Sequence, residues 1–310
     1  MHLNLADPKD GLFAHTQGDG AAVVCLHSST GSHAQWRALS DVLAPRWQVT
    51  SPDLRGHGRS PAWPTPSPAT LRVDAAAVVQ RCGELSRGVH LVGHSYGGAV
   101  ALQIALRHPQ WVRSLTLYEP VAFGVIARMA PGDAALAQIR DVADALAAHV
   151  AQGDLTAASR LFIDYWAGAA AWAAMTPAQQ ASVRSRIATV VRHFDALFAA
   201  TWGRSVLARL RMPILLLHGS ATRAPARRAV ELLSAALPHA QPCELNGAGH
   251  LGPITHAARV NDCIVTHLDP ALAAGTIRGF HVPHAIHDFD PSADTSSAER
   301  ADPGRLRAAA

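Results

Sequence analysis

Short apolar runs alternate with helix-like stretches along most of this chain, and that alternation restricts the fold more than any other feature. AAVVCLH (21–27), WQVTSPD (47–53), VHLVGHS (89–95), SLTLYEP (114–120), MPILLLHG (212–219) and QPCEL (241–245) each read as a strand. Residues 69–86, 97–109, 224–237 and 253–268 have helical character. Strands separated by helices predict an α/β fold, a mostly parallel sheet covered by helices on both faces. The 310 residues, 49% hydrophobic, are enough for one large core with an inserted subdomain.

One block departs from the alternation. Residues 121–205 have helical periodicity and no convincing strand, and they carry Phe162, Tyr165, Trp166, Trp172, Phe194, Phe198 and Trp202. The expectation is an all-helical cap over the sheet, with most of these aromatics forming the insertion's own core. The chain thus divides into a core of residues 1–120 and 206–270, a cap of 121–205 and a loosely ordered tail of 271–310. The tail is poor in large apolar residues and rich in Asp, Ser, Pro and Arg. Its HVPHAIH (281–287) spaces three histidines three apart, but Pro283 argues against a shared helical face for a metal.

Composition excludes several partners. The net charge is +4, Lys9 is the sole lysine, and the arginines are spread out instead of forming a basic stripe. Nucleic acid is therefore not an expected partner. MHLNLADPKD does not read as a signal peptide. The longest uncharged run, Tyr165 to Val183, contains Thr, Pro, Gln and Ser and does not read as a membrane span. Cys25, Cys82, Cys243 and Cys263 show no paired spacing, which suits free thiols in a reducing cytoplasm.

The chemistry centres on VHLVGHSYGGAVAL (89–102). Gly93, Ser95 and Gly97 form Gly-x-Ser-x-Gly between a strand and a helix, the context in which this pattern presents a serine hydroxyl on a strained turn. The Tyr96 amide then faces a reacting carbonyl at a helix start, where negative charge is favoured. A hydroxyl needs a base at neutral pH. His250, in NGAGHLGP after the last strand, is the candidate, and Gly247 and Gly249 let that loop bend back over Ser95. His27, His57 and His94 flank turns and have a simpler use in bonding backbone there.

Taken together, CLHSSTGSHAQW, PDLRGHGRSP, LVGHSYGGAVAL and GAGH resemble the α/β-hydrolase family, in the family's order, over about residues 15–270. The resemblance implies a second oxyanion donor after the first apolar strand, here the amide of Ser29, with Ser28 where the family usually has glycine. It also implies that Asp53 holds its own loop together. The family most often places its acid three residues after Gly219, but that position is Thr222. Glu231 lies well inside the following helix and Glu244 sits within the last strand, too early to stand beside His250. Glu119 ends SLTLYEP, next to the nucleophile's strand, so its side chain emerges at the same rim. Branches such as the haloalkane dehalogenases take their acid from this point, and WVRSLTLYEP resembles that region. Ser95 separates this chain from those enzymes, which attack an alkyl carbon with an aspartate.

The expectation is a cytoplasmic serine hydrolase for a small, fairly apolar carboxylic ester, thioester or lactone. Ser95 is its nucleophile, His250 its base and Glu119 its acid, and the amides of Tyr96 and Ser29 bind the oxyanion. Its partner is a small-molecule substrate, with no nucleic acid or membrane, and the chemistry calls for no metal or organic cofactor. Three alternatives remain: a C–C bond hydrolase, a cofactor-free dioxygenase, and a non-catalytic ligand-binding protein in which Thr222 marks decay.

Overall fold

The computed structural model describes residues 11–63, 69–83 and 88–269; HVPHAIH and the 271–310 tail lie outside them. The strands are β1 (Ala14–Gln17), β2 (Ala21–Leu26), β3 (Trp47–Pro52), β4 (Val89–His94), β5 (Val112–Tyr118), β6 (Ile214–Gly219) and β7 (Ala240–Leu245). They form one sheet in the order β1-β3-β2-β4-β5-β6-β7. β1 is antiparallel to β3, and every other neighbouring pair is parallel. β1 was not legible in the sequence: it is four residues, AHTQ, with one buried position. An edge strand that short carries no clear period-two pattern.

The first helices are α1 (Arg37–Leu43), α2 (Leu71–Cys82) and α3 (Tyr96–Arg107). Seven more lie between β5 and β6: α4 (Phe123–Met129), α5 (Ala134–Ala151), α6 (Leu155–Ala167), α7 (Ala171–Ala174), α8 (Pro177–Arg184), α9 (Ile187–Ala199) and α10 (Arg204–Leu207). The last three are α11 (Ala224–Ala236), α12 (Gly252–Thr255) and α13 (Ala257–Leu268). α1 was not anticipated. The single helix expected over 253–268 is broken at His256, whose φ of −127° is not helical.

Strand residues alternate between two cores, as a pleat requires. Val24, Leu26, Leu91, Leu115, Leu117 and Leu216 enter one cluster. Val23, Cys25, Val92, Tyr118, Leu215 and Leu217 enter the other. Each fully buried Val or Leu contributes about 1.5–3 kcal/mol of transfer free energy.

The helices after β5 begin at legible signals. Asp133 accepts the Ala135 amide at the start of α5, Asp154 accepts the Ala157 amide at the start of α6, and Thr176 with Gln179 forms a capping box on α8. Their aromatics do not form a separate core. Phe162, Trp166 and Phe194 join the same cluster as Leu91 and Leu115 of the sheet, with Tyr165, Phe198 and Trp202 half-buried against it. Through these rings the insertion shares one core with the sheet, while α4, α5 and α10 pack on α11, and α9 packs on α2 and α3.

The order of the sheet positions the site. From β2 the chain adds β3 on one side, and from β4 it adds strands on the other. A crevice opens outside the C-terminal ends of the strands at such a reversal. Leu26 pairs with Gly93, and His94 with Tyr118, so the loops leaving β2, β4 and β5 emerge together. Among the described residues, no helix is long and apolar enough to cross a membrane. No group of three His, Cys, Asp or Glu in them is arranged to hold a metal ion. The four cysteines are free; Cys25 is buried and the others are half-buried.

Candidate active site

Ser95 connects β4 to α3 with φ 54° and ψ −121°, a conformation that costs a non-glycine residue about 1–3 kcal/mol. Two glycines make the turn possible. A side chain at Gly93 would meet the Gly97 carbonyl at 2.6 Å and the Gly98 Cα at 2.7 Å. One at Gly97 would run into the carbonyls of His27 and Leu26. Without side chains there, α3 starts directly against the ends of β2 and β4. The Ser95 amide donates to the Tyr118 carbonyl at 3.0 Å, which ties the turn to β5. Tyr96 is the first residue of α3, so its amide has no acceptor within the helix.

His250 follows β7 on a loop held by three neighbours. Tyr118 Oη donates to the Gly249 carbonyl at 2.7 Å. His94 Nε2 donates to the His250 carbonyl at 2.7 Å, and Gln35 Nε2 donates to His94 Nδ1 at 3.1 Å, which fixes the His94 tautomer. Burial holds His94 well below the ordinary histidine value, helped by His250 nearby. The Ala221 amide donates to the Ala248 carbonyl at 2.9 Å. Thus aimed, His250 Nε2 lies 2.9 Å from Ser95 Oγ, and Nδ1 lies 2.7 Å from Glu119 Oε2. The Trp166 ring of α6 covers the imidazole with centroids 4.0 Å apart.

Glu119 stands one residue past β5 with φ 42°, its amide donating to Leu217 of β6 at 2.9 Å. Its side chain is fully buried. One carboxylate oxygen faces His250. The other accepts the Gly219 amide at 2.9 Å and the Thr222 hydroxyl. Burial alone would raise this carboxyl. The hydrogen bonds and charge of His250, with those of Thr222 and Gly219, overcome it and hold Glu119 below the ordinary glutamate value.

Thr222, at the position where the family usually has its acid, therefore touches the carboxylate of Glu119, which the neighbouring strand supplies. Its use as a donor was not legible in the sequence, although its place three residues after Gly219 marked the loop. The other carboxylates lie elsewhere. Glu231 bonds Arg228 at 3.0 Å along α11, and Glu244 faces His218 at 3.7 Å. Asp53 accepts the His33 amide at 2.6 Å and the Arg59 amide at 2.9 Å, closing its own loop.

The loop after β2 is fixed from both ends. The Ser28 amide and hydroxyl both donate to Gln35 Oε1, at 3.1 and 3.0 Å. Ser28 in place of glycine is thus accommodated by a glutamine seven residues on. His27 and His57 each bond backbone through both nitrogens: His27 to Ser28 and Leu54, His57 to Arg55 and Thr30. Burial lowers them to about 4 and about 3, so both are neutral. Ser29 is not idle either: its hydroxyl lies 2.8 Å from Nδ1 of His193 on α9.

A serine on a strained strand-to-helix turn, an imidazole from the loop after the last strand and a carboxylate from the same rim define a hydrolase-type arrangement on a mostly parallel sheet. The chain belongs to the α/β hydrolase fold family, whose model matches residues 21–257. It is 40% identical over 101 residues to Lipase LipV of Mycobacterium tuberculosis, 32% of this chain and 37% of that protein. It is 36% identical over 110 residues to 2-hydroxymuconate semialdehyde hydrolase of Pseudomonas sp. strain CF600, 33% of this chain and 38% of that one. The matched stretch thus spans little more than a third of either relative. Among solved structures, a thermophilic esterase from Thermogutta terrifontis superposes with a TM-score of 0.64 at 23% identity, covering 84% of this chain and 93% of that one. That likeness is one of fold.

Proposed function

We propose that this protein is a serine hydrolase that cleaves small, fairly apolar carboxylic esters, thioesters or lactones through an acyl-enzyme on Ser95. The observation that carries this reading is the continuous path from Glu119 Oε2 through His250 to Ser95 Oγ, at 2.7 and 2.9 Å. Ser95 Oγ bonds to the acyl carbon as its proton passes to His250 Nε2. The carbonyl electron pair moves to oxygen, where the amides of Tyr96 and Ser29 receive it. The tetrahedral adduct then expels the alcohol or thiol, which takes the proton from His250. Water repeats the sequence on the acyl-enzyme, releasing the acid and returning the proton to Ser95. Glu119, charged throughout, holds Nδ1–H and stabilises the imidazolium.

Burial supports the reading as well. Ser95 is 6% and His250 5% exposed, and Trp166 covers the imidazole, so the charges act in a poorly hydrated space. Trp166 gives the imidazole an apolar neighbour. The free cysteines suit a reducing cytoplasm.

C–C bond hydrolysis of a vinylogous ketone by the same residues is the second reading, favoured by the likeness to the semialdehyde hydrolase. Turnover of p-nitrophenyl butyrate together with fluorophosphonate labelling decides. Ester turnover with label on Ser95 supports the esterase. Label on Ser95 with turnover confined to a vinylogous ketone selects the second reading. No label at Ser95 overturns both, and leaves the dioxygenase and ligand-binding alternatives.

A further inference from the structure

His193 lies on α9 of the helical insertion, yet its Nδ1 hydrogen-bonds Ser29, in the loop that supplies the second oxyanion amide in the reading above. The ring is 1% exposed. It is stacked between Tyr96, with centroids 3.5 Å apart and planes within 6°, and His57, at 5.1 Å and 13°. Tyr96 is itself fixed, its hydroxyl donating to Asp74 at 2.6 Å. The ring therefore bridges the two residues whose amides would bind the oxyanion. Burial, then the nearby His57 and His27, hold His193 well below the ordinary histidine value, so it is neutral and has one hydrogen to place.

Where that hydrogen sits decides what Ser29 can do. His193 Nε2 is sealed and has no hydrogen-bond partner among the described residues. His57 offers none, because both of its nitrogens are engaged with backbone. A hydrogen on Nε2 would be a buried donor with no acceptor, an arrangement that folded proteins rarely tolerate. On Nδ1 the hydrogen has an acceptor, Ser29 Oγ, and only a lone pair is left unmatched at Nε2. In that tautomer the Ser29 hydroxyl accepts from His193, and its own hydrogen is released to point elsewhere. Ser29 is half-buried while His193 is closed off, so the open side of the hydroxyl is the side away from the ring. The Ser28 hydroxyl cannot serve in its place, being committed to Gln35.

We infer that His193 is a positioning residue of the oxyanion site: by donating from Nδ1 it turns the Ser29 hydroxyl hydrogen toward the reacting carbonyl, giving a third donor beside the amides of Tyr96 and Ser29. The seating of the insertion and the strength of the oxyanion site are thereby linked. Arg186, just before α9, reinforces the link by donating to the carbonyls of Thr30 at 2.7 Å and Gly31 at 3.1 Å, in the same loop.

The inference rests on the acyl-enzyme reading, and the test keeps the two apart. Wild type, Ser29→Ala, His193→Phe, His193→Asn and the Ser29→Ala/His193→Phe double variant are assayed with p-nitrophenyl butyrate, and with an alkyl boronic acid that forms a tetrahedral anion on a serine. Ser29→Ala should lower kcat on the order of 10²-fold and leave KM within about twofold, the pattern of an interaction made only in the transition state. Boronate affinity should fall in step. His193→Phe keeps the stacking but removes the donor, and should cost about as much. The double variant should be no worse than Ser29→Ala alone, since both changes remove one interaction. His193→Asn, whose amide nitrogen falls near the place of Nδ1, should recover most of the activity. If Ser29→Ala keeps kcat and boronate affinity within about threefold of wild type, or if the two single losses multiply, the inference fails. If His193→Phe does not fold, Ser29→Ala and His193→Asn still decide it. Loss of Ser95 labelling in wild type would instead defeat the underlying hydrolase reading.

Discussion

Replacing Glu119 by glutamine tests the acid through the hydrogen-bond geometry around it. The carboxylate has two distinct sides: Oε1 receives the Gly219 amide at 2.9 Å and the Thr222 hydroxyl, and Oε2 receives His250 Nδ1–H at 2.7 Å. A glutamine must put its NH₂ on one of them. Facing Gly219, it would set donor against donor in a fully buried place, at a cost of about 1–3 kcal/mol. The NH₂ therefore faces His250, and Nδ1 must become an acceptor. The single imidazole hydrogen then moves to Nε2, where it points at Ser95 and cannot take its proton. The charge that stabilises the imidazolium is lost as well. Wrong tautomer and lost charge together cost on the order of 10³- to 10⁴-fold in kcat, about 4–5.5 kcal/mol. The assay is kcat on p-nitrophenyl butyrate with circular dichroism to confirm the fold. Thr222→Val, which removes one donor to the charged oxygen and keeps the shape, should cost far less, about tenfold. A Glu119→Gln enzyme within threefold of wild type would refute this reasoning, as would Thr222→Val costing more than Glu119→Gln.

The same structure makes three shorter predictions. Burial raises the Asp74 carboxyl to about 7 against the hydrogen bond from Tyr96, so its charged form disfavours the folded state. The stability it contributes is full below the unfolded value of 3.8 and is lost as pH rises through about 7, roughly 4 kcal/mol by the top of that window. Asp74→Asn, which still accepts from Tyr96, should thus gain on wild type as pH climbs from 4 to 8 in urea titrations, and parallel curves would show that Asp74 does not titrate there. Gly97→Ala places a methyl against the carbonyls of Leu26 and His27 and should lower stability by about 1–3 kcal/mol in thermal denaturation; an unchanged Tm would contradict the close approach of α3 to β2. Trp166→Ala uncovers the His250 imidazole and should lower kcat more than it lowers stability, whereas equal activity would mean that the ring only packs.

How far the chain could be read without coordinates depended on whether one segment sufficed. Gly93, Ser95 and Gly97 sit in a single strand-turn-helix, so local pattern was enough to place Ser95 on its turn. His250 needed only its place after the last strand. Glu119 needed the family resemblance, which marks position 222 as the usual place of the acid and the end of β5 as another, and the strand order that puts β5 between β4 and β6 brings it within reach. Other features depend on pairs far apart in sequence. Thr222 meets Glu119 across 103 residues, and His193 meets Ser29 across 164. No period or motif encodes such meetings. The aromatics after β5 showed the same limit: helical spacing marked them as packing residues, but only the fold shows that they share one core with the strands, with Trp166 reaching the histidine. β1 and the break at His256 were missed because four residues or one dihedral leave no pattern to detect.

The central claim is that Ser95 forms a covalent acyl-enzyme, activated by His250. The most direct measurement is intact-protein mass spectrometry of the enzyme quenched within milliseconds of mixing with p-nitrophenyl butyrate, with peptide mapping of the adduct. The account predicts a butyryl mass on wild type, mapped to Ser95, that decays as acid is released. It also predicts no adduct on Ser95→Ala. An adduct on another residue, or ester turnover by Ser95→Ala at a rate near that of wild type, would contradict it.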